Sequence, residues 1–200
     1  MQAALRNSEW DEVRVQHRGR SIAYIYRRGP GEARFSPWLV AAPSALLARL
    51  GRNGLGLYAA RTFKRDDVVG QYAGRVVGRY PTRAAALSAP ETRRLLRRGH
   101  DKLVTVRPPH GPGFHLLDGE GAGPPHIELC NDPRGTALQP NAVLTDAGWL
   151  RVIQARVPPF DISKSIHENI SSELRIDYTD DYWQLHDSLG CDAEHAIEVD

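Results

Sequence analysis

The residues with the clearest chemical potential lie near the C-terminus, in the run Glu173-Leu174-Arg175-Ile176-Asp177-Tyr178. Leu174, Ile176 and Tyr178 alternate with charged residues, and this period of two predicts a half-buried β-strand. A strand of this kind can fix a phenol hydroxyl at its end, and a fixed phenol is suited to chemistry on an amine. An ordinary core tyrosine is the alternative, and this run alone does not exclude it.

Two further aromatic residues, Tyr182 and Trp183, follow closely. Together with Tyr72 they are candidates for the walls of an apolar channel through which an alkyl chain reaches a reactive centre. For Tyr182 and Trp183, ordinary packing in a C-terminal strand is an equally good interpretation.

A second group of candidates lies upstream. Gly54-Leu55-Gly56-Leu57 precedes an apolar stretch, and Asn131-Asp132 occurs in the middle of the chain. Glycine has no Cβ, so its backbone can approach a ligand closely. Taken alone, a Gly-x-Gly pattern also occurs in hairpin turns, and an asparagine beside Asp132-Pro133 also suits a turn.

The motifs in this order resemble a SET domain, the fold of protein-lysine methyltransferases. The resemblance covers Gly54-x-Gly56 with the later Tyr72-x-Gly74 strand, then Cys130-Asn131-Asp132-Pro133 with Pro140-Asn141-Ala142, and finally the run that ends at Tyr178. It implies a mostly β fold with short helices, made of small curved sheets with a helical insert. No cysteine cluster follows the domain, so no zinc site of that kind is expected.

The same resemblance implies domain bounds. Residues 51–183 form the SET domain, with the helical insert at about 82–98. Residues 1–50 are an N-terminal extension, with a hairpin and a short helix that pack on the core. Residues 184–200 form an acidic C-terminal segment.

The function implied by the resemblance is S-adenosylmethionine-dependent methylation of lysine in a basic protein tail, of which a histone tail is one case. Methyl transfer to an amine is an in-line displacement, so alignment is the main task of the protein. The implied site has three parts: catalytic Tyr178 and Tyr72; cofactor-binding Gly54, Leu55, Gly56, Leu57, Asn131 and Asp132; and the substrate channel, Tyr182 and Trp183.

Departures from the family pattern leave other functions open. Asp132-Pro133 stands where His-Ser is usual, Arg134 to Gln139 intervene before Pro140, and Glu128 occupies the place of an arginine. One alternative is a catalytically silent binding or scaffold module. Others are a methyltransferase of the same fold acting on a small-molecule or non-histone amine, and a nucleic-acid-binding β-domain.

Charge is distributed unevenly along the chain. Residues 1–100 contain 19 Lys and Arg against 7 Asp and Glu, a net of +12, whereas residues 101–200 contain 7 against 17, a net of −10. The two halves can pair with each other or form solvated faces. Alternatively, the C-terminal acidic residues attract a basic peptide, and Arg27-Arg28, Arg93-Arg94 and Arg97-Arg98 contact nucleic acid phosphates.

Composition limits the remaining classes. The 200 residues, 41% hydrophobic, suit one compact domain. No apolar run approaches the ~20 residues of a membrane span, and the N-terminus lacks a secretion signal, so we expect an intracellular protein, nuclear if histone is the substrate. Cys130, Cys191, His186 and His195 match no standard zinc spacing, so no metal is expected.

Local signals predict three elements. Apolar residues around a polar turn predict a hairpin at residues 13–28. A short helix is predicted from Ala45 to Leu50, capped by Ser44 and ended by Gly51. The best helical segment is Thr82 to Arg98, where Pro90 should break the helix into two pieces.

Overall fold

A computed structural model describes residues 9–28 and 36–188 of the chain. The chain divides into two compact units. Unit 1 comprises Met1–Ala73, Gly123–Leu144 and Trp149–Asp177, and unit 2 comprises Gly74–Ala122, Thr145–Gly148 and Tyr178–Asp200. The domain bounds implied by the resemblance stay a prediction.

Short strands and short helices alternate along the chain. In chain order the strands are β1 (Trp10–His17), β2 (Arg20–Arg27), β3 (Leu39–Pro43), β4 (Leu55–Ala59), β5 (Phe63–Lys64), β6 (Val68–Gln71), β7 (Arg75–Tyr80), β8 (Leu103–Val106), β9 (Phe114–Asp118), β10 (Ala142–Leu144), β11 (Trp149–Val152) and β12 (Arg156–Val157). The α-helices are α1 (Ala45–Arg49), α2 (Arg83–Ser88), α3 (Pro90–Leu96) and α4 (Asp180–Ser188), and 3-10 helices cover Ile127–Leu129 and His167–Ser172. The predicted mostly β class with short helices is confirmed.

The largest sheet of unit 1 is antiparallel, in the order β1-β2-β3-β4. Strands β1 and β2 form the predicted hairpin, with Trp10 opposite Arg27 and His17 opposite Arg20. Arg18 and Gly19 connect them at φ values of 51° and 76°. Positive φ at both turn residues matches the right-handed twist of a two-residue hairpin, so the predicted hairpin is confirmed.

Helix α1 follows β3 and begins at the predicted cap. The Ser44 hydroxyl accepts a hydrogen bond from the Leu47 amide at 2.9 Å, which satisfies a donor that the first helical turn leaves unpaired. Gly51, with φ of 71°, lies just beyond the helix end. Both ends of this helix therefore follow from local sequence signals.

Two smaller antiparallel sheets complete unit 1, one in the order β10-β11-β6 and one formed by β12 and β5. The buried core beside α1 contains Ile22, Val40, Ala42, Ala45, Tyr58 and Ile166. The Tyr58 ring meets Phe160 edge to face, with centroids 5.1 Å apart. The long sheet and the short helix α1 thus pack on one core.

Unit 2 contains an antiparallel sheet in the order β7-β9-β8 and the predicted helical segment. Pro90 is the first residue of α3, where a missing N–H is harmless, and the break before it is confirmed. The Thr92 hydroxyl donates to the Ala86 carbonyl at 2.6 Å, which ties α3 to α2. In the described part of the chain, no helix is both long and apolar enough to cross a membrane.

The structure corrects the predicted C-terminal strand. Glu173 and Arg175 form only isolated bridges, with Tyr58 and Asn131 respectively, and Glu173 to Ile176 are all buried. The alternating, half-buried strand was wrong because both faces of this extended segment are covered by the protein.

The aromatic residues after this segment are not in a strand either. Tyr182 and Trp183 lie in α4, so the interpretation that placed them in a C-terminal strand was wrong. Asp180 at the start of α4 interacts favourably with the helix dipole, which favours a helix here. Of the predicted acidic segment 184–200, residues 189–200 lie outside the described residues.

Candidate functional site

Glu173 is the centre of a buried hydrogen-bond cluster in unit 1, and it is fully buried. Its Oε1 accepts hydrogen bonds from the Ser44 hydroxyl at 2.5 Å and the Asn131 amide at 3.3 Å. Its Oε2 accepts one from the Leu46 main-chain amide at 2.9 Å. Burying a carboxylate is costly unless hydrogen bonds replace water, so these donors fix Glu173. We call Ser44, Leu46, Asn131 and Glu173 the Glu173 cluster.

Asn131 connects this cluster to two other segments. Its amide nitrogen donates to the Leu55 carbonyl in β4 at 3.0 Å and lies 3.2 Å from the Ser44 hydroxyl oxygen. Its main-chain carbonyl accepts from the Ile176 amide at 3.1 Å. The glycine-pair strand, the central asparagine and the C-terminal run therefore meet at one residue.

The two candidate glycines contact the protein's own side chains. A Cβ at Gly56 would lie 2.5 Å from Glu173 Oε1, and a Cβ at Gly54 would lie 2.6 Å from Leu47 Cδ1. A side chain at Gly56 would therefore displace the buried Glu173 carboxylate, whereas one at Gly54 would meet only the end of the half-buried Leu47 side chain. Gly56 is needed for packing whether or not a ligand binds, which the sequence interpretation did not foresee.

Leu55, Leu57 and Asp132 complete the proposed cofactor set. Leu57 is fully buried, whereas Leu55, the first residue of β4, is 44% exposed. Residues two apart in a strand share a face, so the difference marks the exposed start of the strand. Asp132 is half-buried, and its Oδ1 accepts a hydrogen bond from the Arg134 amide at 2.8 Å. That bond forms the local turn, so the turn interpretation of this element is compatible with the structure.

Sequence reasoning missed Tyr58. Its hydroxyl donates to the Pro43 carbonyl at 2.7 Å and accepts from the Ala45 amide at 2.8 Å. Burial raises the pKa of the Tyr58 phenol, and the charge of Glu173 raises it further. A phenol held in the neutral form with both roles occupied supports α1 and is unsuited to proton transfer.

Arg175 was also assigned to the wrong environment. Its guanidinium donates to the main-chain carbonyls of Ile170 at 2.6 Å and Gln139 at 3.2 Å. Burial lowers the pKa of Arg175, and the charge of Glu173 opposes that effect. Asn141 fixes the same segment, because its amide donates to the Glu173 carbonyl and its Oδ1 accepts from the Arg175 amide, both at 2.8 Å.

Tyr178, Tyr182 and Trp183 form an aromatic cluster in unit 2. The Tyr178 centroid lies 5.1 Å from that of Tyr182 and 6.1 Å from that of Trp183. Each of the three residues is half-buried, and the Tyr182 hydroxyl donates to the Asp101 carbonyl at 3.1 Å. The sequence candidates for the reaction point and channel thus lie together on α4 and the residues before it.

The remaining candidate, Tyr72, belongs to unit 1. It lies directly after β6 and is 9% exposed. The cofactor candidates Gly54 to Leu57, Asn131 and Asp132 also belong to unit 1, whereas Tyr178, Tyr182 and Trp183 belong to unit 2. The structure therefore groups the candidates by unit.

A second polar cluster in unit 1 escaped the sequence analysis. The His126 ring contacts Glu12 through Nε2 at 2.5 Å and Glu128 through Nδ1 at 3.0 Å. Burial lowers the pKa of His126, but Glu128 and Glu12 outweigh burial, so the pKa is raised. Glu128 stands where the resemblance to the SET domain leads one to expect an arginine, and the contact with the His126 ring is its partner in the structure.

The described part of the chain contains no cluster of side chains suited to a metal ion. No group of three or more His, Cys, Asp and Glu side chains among residues 9–28 and 36–188 is arranged to hold a metal ion. Cys130, from the zinc set considered above, is buried. Cys191 and His195 of that set lie outside the described residues.

Comparison with known proteins gives no family assignment. No protein-family model matches the chain, and no curated protein matches it. The resemblance to the SET domain therefore rests on the motifs and their arrangement.

Proposed function

We propose that this chain is an S-adenosylmethionine-dependent protein-lysine N-methyltransferase acting on a basic protein tail, of which a histone tail is one case. The Glu173 cluster carries the proposal. Within it, the Asn131 amide donates to Glu173 and also to the Leu55 carbonyl, so one residue from each of the three motifs takes part. Asn131 is 76 positions from Leu55 and 42 from Glu173. Short motifs that resemble a family only by chance have no reason to share one buried set of hydrogen bonds.

S-adenosylmethionine supplies an electrophilic methyl group to such a reaction. By resemblance, the main chain of residues 54–57, with Asn131 and Asp132, holds it. The fit is partial, because Gly54 and Gly56 already pack against Leu47 and Glu173. A ligand would approach β4 at its first residue, Leu55, which is exposed.

The roles proposed for the protein's own residues are positional. A free lysine has a pKa of about 10.4, and only its neutral amine attacks, so a site that removes water from the ammonium lowers that pKa and assists the reaction. The Tyr178 hydroxyl orients the amine. With S-adenosylmethionine bound, the nitrogen would form a bond to the methyl carbon as the carbon–sulfur bond breaks, and the amine proton would pass to solvent.

The aromatic cluster and its surroundings favour a cationic substrate. Ring faces attract ammonium groups, and the rings of Tyr178, Tyr182 and Trp183 are half-buried. Asp177 and Asp180, on either side of Tyr178, are exposed. Exposed acidic residues favour a basic peptide by charge complementarity.

A catalytically silent SET-type binding module is the second candidate. The packing of Gly56 against Glu173 and the bonds of Asn131 favour it, because residues assigned to the cofactor are already used by the fold. A binding module of this kind would keep the arrangement of the motifs without turnover.

Calorimetry with S-adenosylmethionine, followed by turnover with labelled cofactor on a panel of histone tails, tests these proposals. Binding with methyl transfer supports the enzyme, binding without transfer supports the silent module, and absence of binding contradicts the methyltransferase.

Tyr178→Phe should lower turnover about a hundredfold with little change in melting, as expected for loss of a positioned polar group. Tyr26→Phe is the matched control, and wild-type turnover in Tyr178→Phe would exclude the assigned role.

The basic-tail assignment has its own test. Interactions between exposed charges are screened over about 8 Å at physiological ionic strength, so methylation of a Lys- and Arg-rich peptide should weaken as salt rises. A chain that ends at Ser188 preserves α4 and removes the acidic residues beyond it. Truncation should impair peptide use more than cofactor binding; the reverse pattern would favour a small-molecule amine.

A further inference from the structure

In unit 1, aromatic rings and arginine guanidinium groups alternate in a chain of contacts that we call the cation–π cluster. Its members are Trp10, Arg27, Trp38, Arg61 and Phe63. The Arg27 guanidinium lies 5.7 Å from the Trp10 ring centroid and 5.5 Å from that of Trp38. The Arg61 guanidinium lies 3.7 Å from the Trp38 centroid and 4.6 Å from that of Phe63. Trp38 therefore holds both arginines.

The rings of this cluster are fixed by the fold. The Trp38 indole donates a hydrogen bond to the Val69 carbonyl at 2.9 Å and meets Phe63 edge to face at 5.6 Å. Trp10 is 7% exposed and Phe63 is fully buried, whereas Arg27 and Arg61 are exposed. The fold therefore holds the rings in place, and the two arginines that stack on them are exposed residues.

The ion pairing of these two arginines differs from that of the neighbouring Arg28. Among the residues that the structure describes, neither Arg27 nor Arg61 forms an ion pair, whereas the adjacent Arg28 donates to both Asp11 oxygens, at 2.7 and 2.6 Å. Burial lowers the pKa of Arg61; the charge of Asp67 opposes this, and that of Arg27 adds to it. Arginine nonetheless stays protonated, so two like charges lie close together.

We propose that Arg27 and Arg61 bind the phosphate backbone of a nucleic acid. The planar guanidinium matches phosphate oxygens bidentately and keeps its donors free while it stacks on an aromatic ring. The first segment of unit 1 is basic, with 12 Lys and Arg against 6 Asp and Glu in residues 1–73. This charge suits a polyanion that presents repeated phosphates. This site is independent of methyl transfer, since Arg27 and Arg61 belong to none of the sets assigned to that reaction.

Fluorescence anisotropy with a labelled DNA duplex and a labelled single-stranded RNA, titrated at several salt concentrations, tests the site on the full chain. The double variant Arg27→Gln and Arg61→Gln should weaken binding roughly tenfold per arginine at low salt. It should also reduce the slope of log affinity against log salt by about two, because each phosphate contact contributes about one. The comparison of DNA with RNA shows which nucleic acid the site prefers. Binding of either one supports the proposal.

Arg28→Gln is the matched control. It removes the same charge from the same strand end, but its guanidinium is already paired with Asp11, so affinity and slope should stay as in the wild type. Arg61→Lys retains charge and should still fold if the double variant does not; without the planar fork it should lose roughly threefold to tenfold in affinity.

Three results would overturn the proposal. They are no binding of either nucleic acid, an Arg28→Gln variant that loses as much affinity as Arg27→Gln, and an Arg61→Lys variant that binds as the wild type does. Competition identifies the class of partner. If polyglutamate displaces the oligonucleotide more readily than a phosphate polymer of equal charge does, the site prefers an acidic protein and the nucleic-acid assignment is wrong.

Discussion

Glu173 and Glu128 are both buried in unit 1, but the protein stabilises them in different ways. Glu173 receives hydrogen bonds from neutral donors, namely a hydroxyl, a side-chain amide and a main-chain amide. Glu128 meets the His126 ring through Oε1, and its Oε2 has no hydrogen-bond partner among the described residues. Neutral donors do not titrate in the physiological range, whereas the charge of histidine does.

The neutral donors to Glu173 do not change with pH, whereas the charge that His126 presents to Glu128 depends on the protonation of the ring. The donors to Glu173 come from two segments that are distant in sequence. The cluster therefore connects β4, α1 and the C-terminal run by hydrogen bonds. The His126 pair adds Glu12 of β1 to a local contact, and its strength depends on protonation. We therefore expect changes at Glu173 to affect the whole fold and changes at His126 to affect mainly the pH dependence of stability.

The largest effect is expected for Glu173→Ala. This change leaves the Ser44 hydroxyl, the Asn131 amide and the Leu46 amide without their buried acceptor, and it creates a cavity. We expect the free energy of unfolding to fall by about 3–5 kcal/mol, measured by urea denaturation. Glu120→Ala, at an exposed glutamate, is the control and should change it by less than about 0.5 kcal/mol. A similar small loss for Glu173→Ala would show that the cluster is not central to the fold.

Gly56→Val is expected to have the next largest effect. The sequence interpretation expects this change to weaken cofactor binding in a folded protein. The structure instead places the new Cβ against Glu173 Oε1 and within 3.2 Å of Ser44 Cα, so we expect a loss of about 2–3 kcal/mol in unfolding free energy. Gly123→Ala, where a Cβ meets nothing within 4 Å, is the control. Normal stability combined with weaker S-adenosylmethionine binding would restore the ligand interpretation.

The smallest effect concerns pH. Burial raises the pKa of Glu12, but His126 and Arg14 together outweigh burial, so that pKa is lowered from its ordinary value of 4.5. The pKa of His126 is raised from 6.5. Glu12 therefore contributes stability above about pH 4.5 that is lost as pH falls through its folded pKa. His126 contributes stability below about pH 6.5 that is lost as pH rises through its folded pKa.

The contribution of the pair should accordingly be greatest between about pH 4.5 and 6.5. His126→Gln should remove about 1–2 kcal/mol of unfolding free energy in this window and less at pH 9. Urea unfolding across pH provides the measurement, and His110→Gln, at an exposed position, should reproduce the wild-type profile. A loss that is constant from pH 5 to pH 9 would mean that His126 acts through packing and not through charge.

The sequence by itself determined the elements whose causes are local. The hairpin of β1 and β2, the cap of α1 by Ser44 and its end at Gly51, and the start of α3 at Pro90 all follow from residues within a few positions of one another. Steric limits on backbone angles and the unpaired donors of a first helical turn act over that range. The mostly β class was implied by the resemblance of the motifs to a known family and not by these local signals.

Tertiary structure decided the environment of each candidate residue. Ser44 reads as a helix cap, yet its hydroxyl also donates to Glu173, 129 positions away. The alternation around Arg175 predicts a solvated face, yet main-chain carbonyls bind its guanidinium. Trp38 contacts both Arg27 and Arg61, which are distant from each other in the sequence. Burial and polar pairing depend on which segments pack together, and a periodic pattern carries information only about the segment in which it occurs.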